Sequence, residues 1–190
     1  ALTVIAGVGV ASVNAFALTI SDVTLIKVGT LLAAFNIGFS IIYAILTKFK
    51  FIMIGIIQII AFITFGYILN FLVYDVFGQY EFPNYVIRLV SLTLGITMAA
   101  SAIGIVTFLR VITFPVEMVC HHLETIGMMS FMKARYSLDM ILIILALLLS
   151  FVFQTDLYLR EGTIITVLLF SFVMSRSNKF VEKRFINTLF

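Results

Sequence analysis

From Phe51 to Tyr74 the chain carries no charged residue, and neither does the stretch from Leu89 to Leu109. A hydrocarbon layer about 30 Å thick is crossed by about 20 apolar residues in helix, so runs of this length fix the solvent before any other feature is weighed. Reading them along the chain places membrane spans at 2–20, 31–47, 51–73, 87–109, 136–154 and 157–176. The runs are continuously apolar instead of alternating, which selects helices over barrel strands, the only other architecture that satisfies the backbone in lipid. Composition agrees: 63% of the residues are hydrophobic and 11% charged, against about 45–50% and about 25% in soluble domains. The expected fold is an all-α membrane protein with six transmembrane helices in a single transmembrane domain over 1–190.

Basic residues in short loops prefer the cytoplasmic side. Lys48 and Lys50 lie between the second and third spans, Arg110, Lys133 and Arg135 between the fourth and fifth, and Arg176, Lys179, Lys183 and Arg184 follow the sixth. The opposite side receives Lys27 and Arg160, with Arg88 at its edge, together with Asp22, Asp75, Glu81, Asp156 and Glu161. Both termini are therefore expected in the cytoplasm of a bacterial cell. Residues 177–190 alternate bases with Phe and Leu, a basic amphipathic tail suited to the anionic inner leaflet. The chain begins at Ala1 already on an apolar run. A preceding basic stretch removed or left out is expected there, and no separate signal peptide, because no small-residue cleavage site leads into a soluble domain.

The net charge of +3 comes from twelve bases scattered over loops and one tail, not from one face, so nucleic acid is not an expected partner. Cys120 is the one cysteine and excludes an intrachain disulfide and a thiol-based metal site. No nucleophile constellation, phosphate loop or pair of catalytic carboxylates is present. We expect no enzyme and no cofactor.

The polar stretch at 75–86 divides the chain into a first repeat, 1–74, and a second, 87–176. Gly7-Val8-Gly9 is followed by Ile20-Ser21-Asp22-Val23-Thr24-Leu25-Ile26-Lys27, and Ser101-Ala102-Ile103-Gly104 by Pro115-Val116-Glu117-Met118-Val119-Cys120-His121-His122. The third span of each half opens on glycine, at Gly55 and Gly162. Three spans per repeat is an odd number, so the second copy enters the membrane from the opposite side. Inverted repeats of this kind recur in transporters, with a site near the midplane and broken helices supplying polar backbone.

Gly-x-Gly with the short acidic segment after it, Phe114-Pro115-Val116-Glu117, Arg135-Tyr136-Ser137-Leu138-Asp139 and Arg160-Glu161-Gly162-Thr163 together resemble the YczE/YyaS/YitT-type bacterial membrane proteins over nearly the whole chain. Where that group often shows Pro-Trp-Asp or Pro-Arg-Asp, this chain has Ile20-Ser21-Asp22 and Pro115-Val116-Glu117, so Asp22 and Glu117 are the acidic positions the resemblance carries over. It implies a bacterial membrane protein and little chemistry.

An ionisable residue within a span costs about 2.5–3.5 kcal/mol on insertion scales and so faces a cavity or a partner. Asp139 follows Arg135 by one helical turn, which permits an ion pair on one face and leaves a local pair or a solute or proton site as alternatives. Phe114–Lys133 carries Glu117, His121, His122 and Glu124, with a proline to start a short helix that either re-enters the membrane or lies on it. Adjacent histidines point to different helix faces, which argues against a metal site. Asn14, Asn36, Gln58 and Thr166 are polar residues inside spans that serve helix contacts or a solute.

These readings converge on a small-solute membrane transporter, anionic or zwitterionic solutes favoured, with Asp22, Lys27, Asn36, Glu117, His121, Arg135 and Asp139 as the candidate substrate-binding residues. The expected partners are the lipid bilayer, the solute and, in the alternative reading of a membrane-embedded binding subunit, a larger transport complex. A structural or assembly protein is the remaining class. A green fluorescent protein fused after Phe190 should fluoresce, and an alkaline phosphatase fusion there should be inactive. The reverse pattern overturns the topology.

Overall fold

The computed structural model describes residues 1–50, 52–78, 82–109 and 114–189. Expectations resting on Phe51, Glu81, Arg110 and Thr113, and on the side chains of Lys179, Lys183 and Arg184, lie outside what is described. Within it the protein is all α-helical: α1 (Leu2–Ile5), α2 (Ser12–Thr24), α3 (Val28–Leu46), α4 (Ile52–Asn70), α5 (Tyr85–Leu109), α6 (Pro115–Thr125), α7 (Phe131–Phe153) and α8 (Glu161–Leu189), with no strand among the described residues. Four stretches are long and apolar enough to cross a membrane: Val28–Leu46, Ile52–Val76, Tyr85–Ile105 and Phe131–Phe153. The protein is a multi-pass membrane protein.

The chain forms two compact units, each built from segments far apart in sequence. One comprises residues 1–11, 80–113 and 159–190 and holds α1, α5 and α8. Its core is Ala6, Val8, Phe82, Leu92 and Ile96, with Ile5, Leu169 and Phe170 packed around it. Here the expected continuous span 2–20 is corrected: α1 stops at Ile5 and α2 starts only at Ser12. Gly7 and Gly9 take positive φ, +65° and +118°, which an apolar helix cannot absorb. At Gly9 an added Cβ would lie 2.7 Å from the backbone nitrogen of Thr163. The opened backbone is satisfied locally: Val8 O accepts from Gly162 N at 2.9 Å, and Gly7 O from Arg160 Nη1 at 3.1 Å.

The other unit, residues 12–79 and 114–158, holds α2, α3, α4, α6 and α7. α3 packs along α4, α2 along α3 and α7, and α6 along α3 and α7. Gly29 and Gly66 let α3 and α4 touch backbone to backbone; a Cβ on Gly66 would lie 2.6 Å from Gly29 O and 2.9 Å from Ala33 Cβ. Lys27 gives α3 no side-chain cap. The orphan amides of α3 are met across the helix pair instead: Asn70 Oδ1 accepts from Gly29 N at 2.8 Å and Tyr74 Oη from Val28 N at 3.2 Å. Tyr74 sits in the π-helical turn Phe71–Val76 that extends α4.

Three further boundaries differ from the sequence reading. Ser21–Thr24 complete α2 and only three residues separate it from α3, so no separate element follows the first helix of the first half. Leu25 turns the chain at φ +60° while Ser21 Oγ donates to Ile26 O at 2.6 Å. The last expected span, 157–176, begins as helix only at Glu161 and runs on through 177–189, so the basic tail continues α8 instead of forming its own segment. α6 does begin at Pro115, with Phe114 extended before it.

Gly66→Leu should lower the melting temperature, by about 1–3 kcal/mol of overpacking, while Gly38→Leu, where an added Cβ meets nothing within 4 Å, should not. Equal effects would refute the close helix approach.

Candidate functional site

Charge gathers where α2, α6 and α7 meet inside the five-helix unit. Proline at its first position starts α6 and sets Glu117 in its first turn, where the exposed amides of a helix N-terminus favour a carboxylate. Arg135 and Asp139 lie one turn apart on α7. The Arg135 guanidinium joins both acids: Nη1 lies 3.2 Å from Glu117 Oε1 and Nε 3.2 Å from Asp139 Oδ2. From the start of α2, buried Ser12 donates its hydroxyl to Asp139 Oδ1 at 2.5 Å. Glu117 Oε2 is shut off from solvent and accepts no hydrogen bond among the described residues. Burial pushes the Glu117 carboxyl above the usual carboxylate range, Arg135 pulls it back, and Asp139 pushes it up further.

A second polar line reaches the same short helix from the spans. Gln58 is buried within α4; its Oε1 accepts from Ser40 Oγ at 3.2 Å and its Nε2 donates to Met118 Sδ at 2.8 Å. Ser40 also donates to Asn36 O at 3.0 Å. Glu117 and Met118, adjacent on α6, therefore tie that helix to α7 on one side and to α3 and α4 on the other.

All seven residues nominated from the sequence fall in this unit, but they do not converge. Glu117, Arg135 and Asp139 form the network. Asn36 donates to Leu32 O of its own helix at 2.8 Å. His121 stacks on Phe131 with ring centroids 4.4 Å apart and lies 3.6 Å from Glu124. Lys27 holds its ammonium 5.3 Å above the Tyr74 ring. Asp22 accepts from Tyr158 at 2.7 Å, and burial together with that carboxylate pushes the Tyr158 phenol well up. Asp22 and Lys27 thus serve the connections around α2 and α3, not the network. Among the described residues no group of three or more His, Cys, Asp and Glu is placed to hold a metal. Ser12 was not nominated, because the apolar run around it reads as unbroken span; the Gly-x-Gly before it was the available signal that a helix would restart there.

A family model described as a family of unknown function, DUF6198, matches residues 1–179, and the chain belongs to that family. No curated protein matches the chain, and no solved structure does.

Arg135→Gln leaves two carboxylates facing each other without a counter-charge. With each of the three side chains a little over a quarter exposed, 27–30%, the expected loss is about 1–3 kcal/mol, between surface and buried ion pairs. Adding Glu117→Gln should restore most of it in thermal unfolding. A loss that the second substitution leaves unchanged would show that charge is not what Arg135 contributes.

Proposed function

We propose that this DUF6198 member is a membrane transporter of a small cationic or zwitterionic solute, with the site at Glu117, Arg135, Asp139 and Ser12. The network carries the reading: groups from both halves of the chain meet in a multi-pass protein, around two carboxylates and one guanidinium. The basic and histidine side chains in the sequence favour an anionic or zwitterionic solute. Arg135 is already held by two acids and His121 is stacked away on Phe131, so the surplus charge at the network is negative and an amine-bearing solute fits it better.

Six crossings in two inverted repeats belong to the same proposal. The interval from the start of α2 to that of α6 equals the interval from α3 to α7: Ser12 to Pro115 and Val28 to Phe131. That interval also carries Asn14 to Glu117, Leu32 to Arg135 and Asn36 to Asp139. Packing follows the same exchange, since α2 meets α7 as α6 meets α3, and α2 meets α3 as α6 meets α7. This register differs from the one that set Asp22 beside Glu117: Asp22 lies near the end of α2 and Glu117 in the first turn of α6.

With 13 and 11 residues, α2 and α6 measure about 20 and 16 Å at about 1.5 Å per residue, too short to cross a hydrocarbon layer about 30 Å thick. Paired half-helices that start at breaks are the usual lining of a transporter site. On a six-crossing count α3 and α7 are the second and fifth, and so run in opposite directions, with both termini in the cytoplasm of a bacterial cell.

The test is a thermal-shift screen of small amines, amino acids and anions on the purified chain, followed by uptake into proteoliposomes. A hit at 100 times its dissociation constant should stabilise by about 2.7 kcal/mol, and Asp139→Asn should abolish both shift and uptake. Binding without flux, together with co-purification of an ATPase-bearing complex, would favour a membrane-embedded binding subunit. A screen without hits, or hits indifferent to Asp139, would refute the site.

A further inference from the structure

We infer that Glu117 is a proton-binding site, the proton seated on Oε2, and that the proton is the ion this transporter exchanges against its solute. The inference rests on reading the network as the solute site.

The network does not balance its own charge. One guanidinium lies between two carboxylates at 3.2 Å from each, so with both acids ionised it carries one uncompensated negative charge. Away from bulk water that surplus is costly, and protonation of one acid is the usual relief. The hydrogen bonds choose which acid. Asp139 accepts a hydrogen bond from Ser12 on Oδ1 and faces Arg135 Nε as an ion pair on Oδ2. Glu117 has Arg135 on Oε1 alone, and its buried Oε2 accepts nothing among the described residues. The oxygen left without a partner is on Glu117, and the proton goes there.

Among the described residues, no second Lys or Arg is paired with Glu117. α7 presents Arg135 and Asp139, both already counted. α6 itself adds His121, turned to Glu124 and Phe131, and buried Cys120. α3, packed on α6, carries no acid or base between Val28 and Leu46 except Tyr43, which meets the edge of His122. α4 has no charged residue and reaches α6 through Gln58.

The repeated helix pair points the same way. At the positions that correspond to Glu117 and Asp139 stand Asn14 and Asn36, and at that of Arg135 stands Leu32. A carboxamide has the shape of a protonated carboxyl group, so the first pair is a permanently neutral version of the second. The acid copy alone can change charge: Glu117 binds and releases a proton reversibly, and no bond other than O–H forms or breaks. A solute ammonium and the proton then compete for one carboxylate, which couples their movements.

Infrared spectroscopy of the purified full-length chain in detergent tests this without any solute. A protonated-carboxyl stretch should be present near neutral pH, disappear on alkaline titration and be absent from Glu117→Gln; in Asp139→Asn, which removes the surplus charge, it should remain at acidic pH but titrate away at lower pH than in the wild type. Thermal unfolding supplies a second readout. Because the folded protein holds Glu117 above its unfolded value, the associated stability is complete at low pH and declines as pH rises through the folded value; Glu117→Gln should flatten that decline. Should Glu117→Gln fail to fold, the wild-type band with its shift in D₂O, together with Asp139→Asn, carries the assignment. No band, or a band that survives Glu117→Gln, overturns the inference. Flux that is indifferent to pH, with no band, ends this inference and leaves transport standing; a band without flux retains the proton site and ends the transport reading.

Discussion

In hydrocarbon an unpaired amide or carbonyl has no water to turn to, so every interruption of a helix must be paired by protein. That requirement organises both units. Where the first apolar run opens at Gly7 and Gly9, the freed carbonyls are met by Gly162 N and the Arg160 guanidinium. Where α3 starts without a cap, Asn70 and Tyr74 reach across from the end of α4. Gly9, Gly29 and Gly162 share one logic, since a side chain there would push apart the segments that satisfy each other, while Gly7 serves through its positive φ. The π-helical turn fits the same account, since it continues α4 through Tyr74 to the uncapped start of α3.

The same scarcity of water governs charge. A lone acid in such a unit would be expensive, and the structure answers with a relay in which each charged group touches the next: Ser12 to Asp139, Asp139 to Arg135, Arg135 to Glu117. Partners that lie apart in sequence meet because α6 packs on α3 and α7 while α2 packs on α7. The short helices thereby act as carriers of polar groups between long apolar ones, and Met118 and Gln58 extend that role into α4.

The legibility of the sequence tracks the physics that wrote it. Runs such as Phe51–Tyr74 declare themselves because nothing but lipid tolerates them, and Pro115 marks the start of α6 because its ring fixes the first turn. The Arg135–Asp139 contact was readable from one turn of spacing. Glu117 and Ser12 joining that pair was not, since long-range packing leaves no local trace. The break at Ala6–Ala11 was misread as span because an apolar composition does not distinguish helix from extended backbone; only the paired glycines hinted at it. Asp22 drew attention as a charge near a span and proved to be a hydrogen-bond acceptor for Tyr158.

The distribution of charge between the two helix pairs bears most directly on mechanism. If α2–α3 and α6–α7 descend from one unit, their packing must remain compatible while their chemistry diverges. Neutral Asn14, Leu32 and Asn36 can be held by helix packing alone, and the Asn36 amide indeed donates to the turn before it. Glu117, Arg135 and Asp139 require one another, and Ser12 from the neutral pair completes them. A symmetric pair of ionic centres would double the desolvation cost for no additional site. On that reading, keeping the ionic groups at these positions to α6–α7 leaves Asn14, Leu32 and Asn36 as a neutral counterpart, with Asp22 apart near the end of α2.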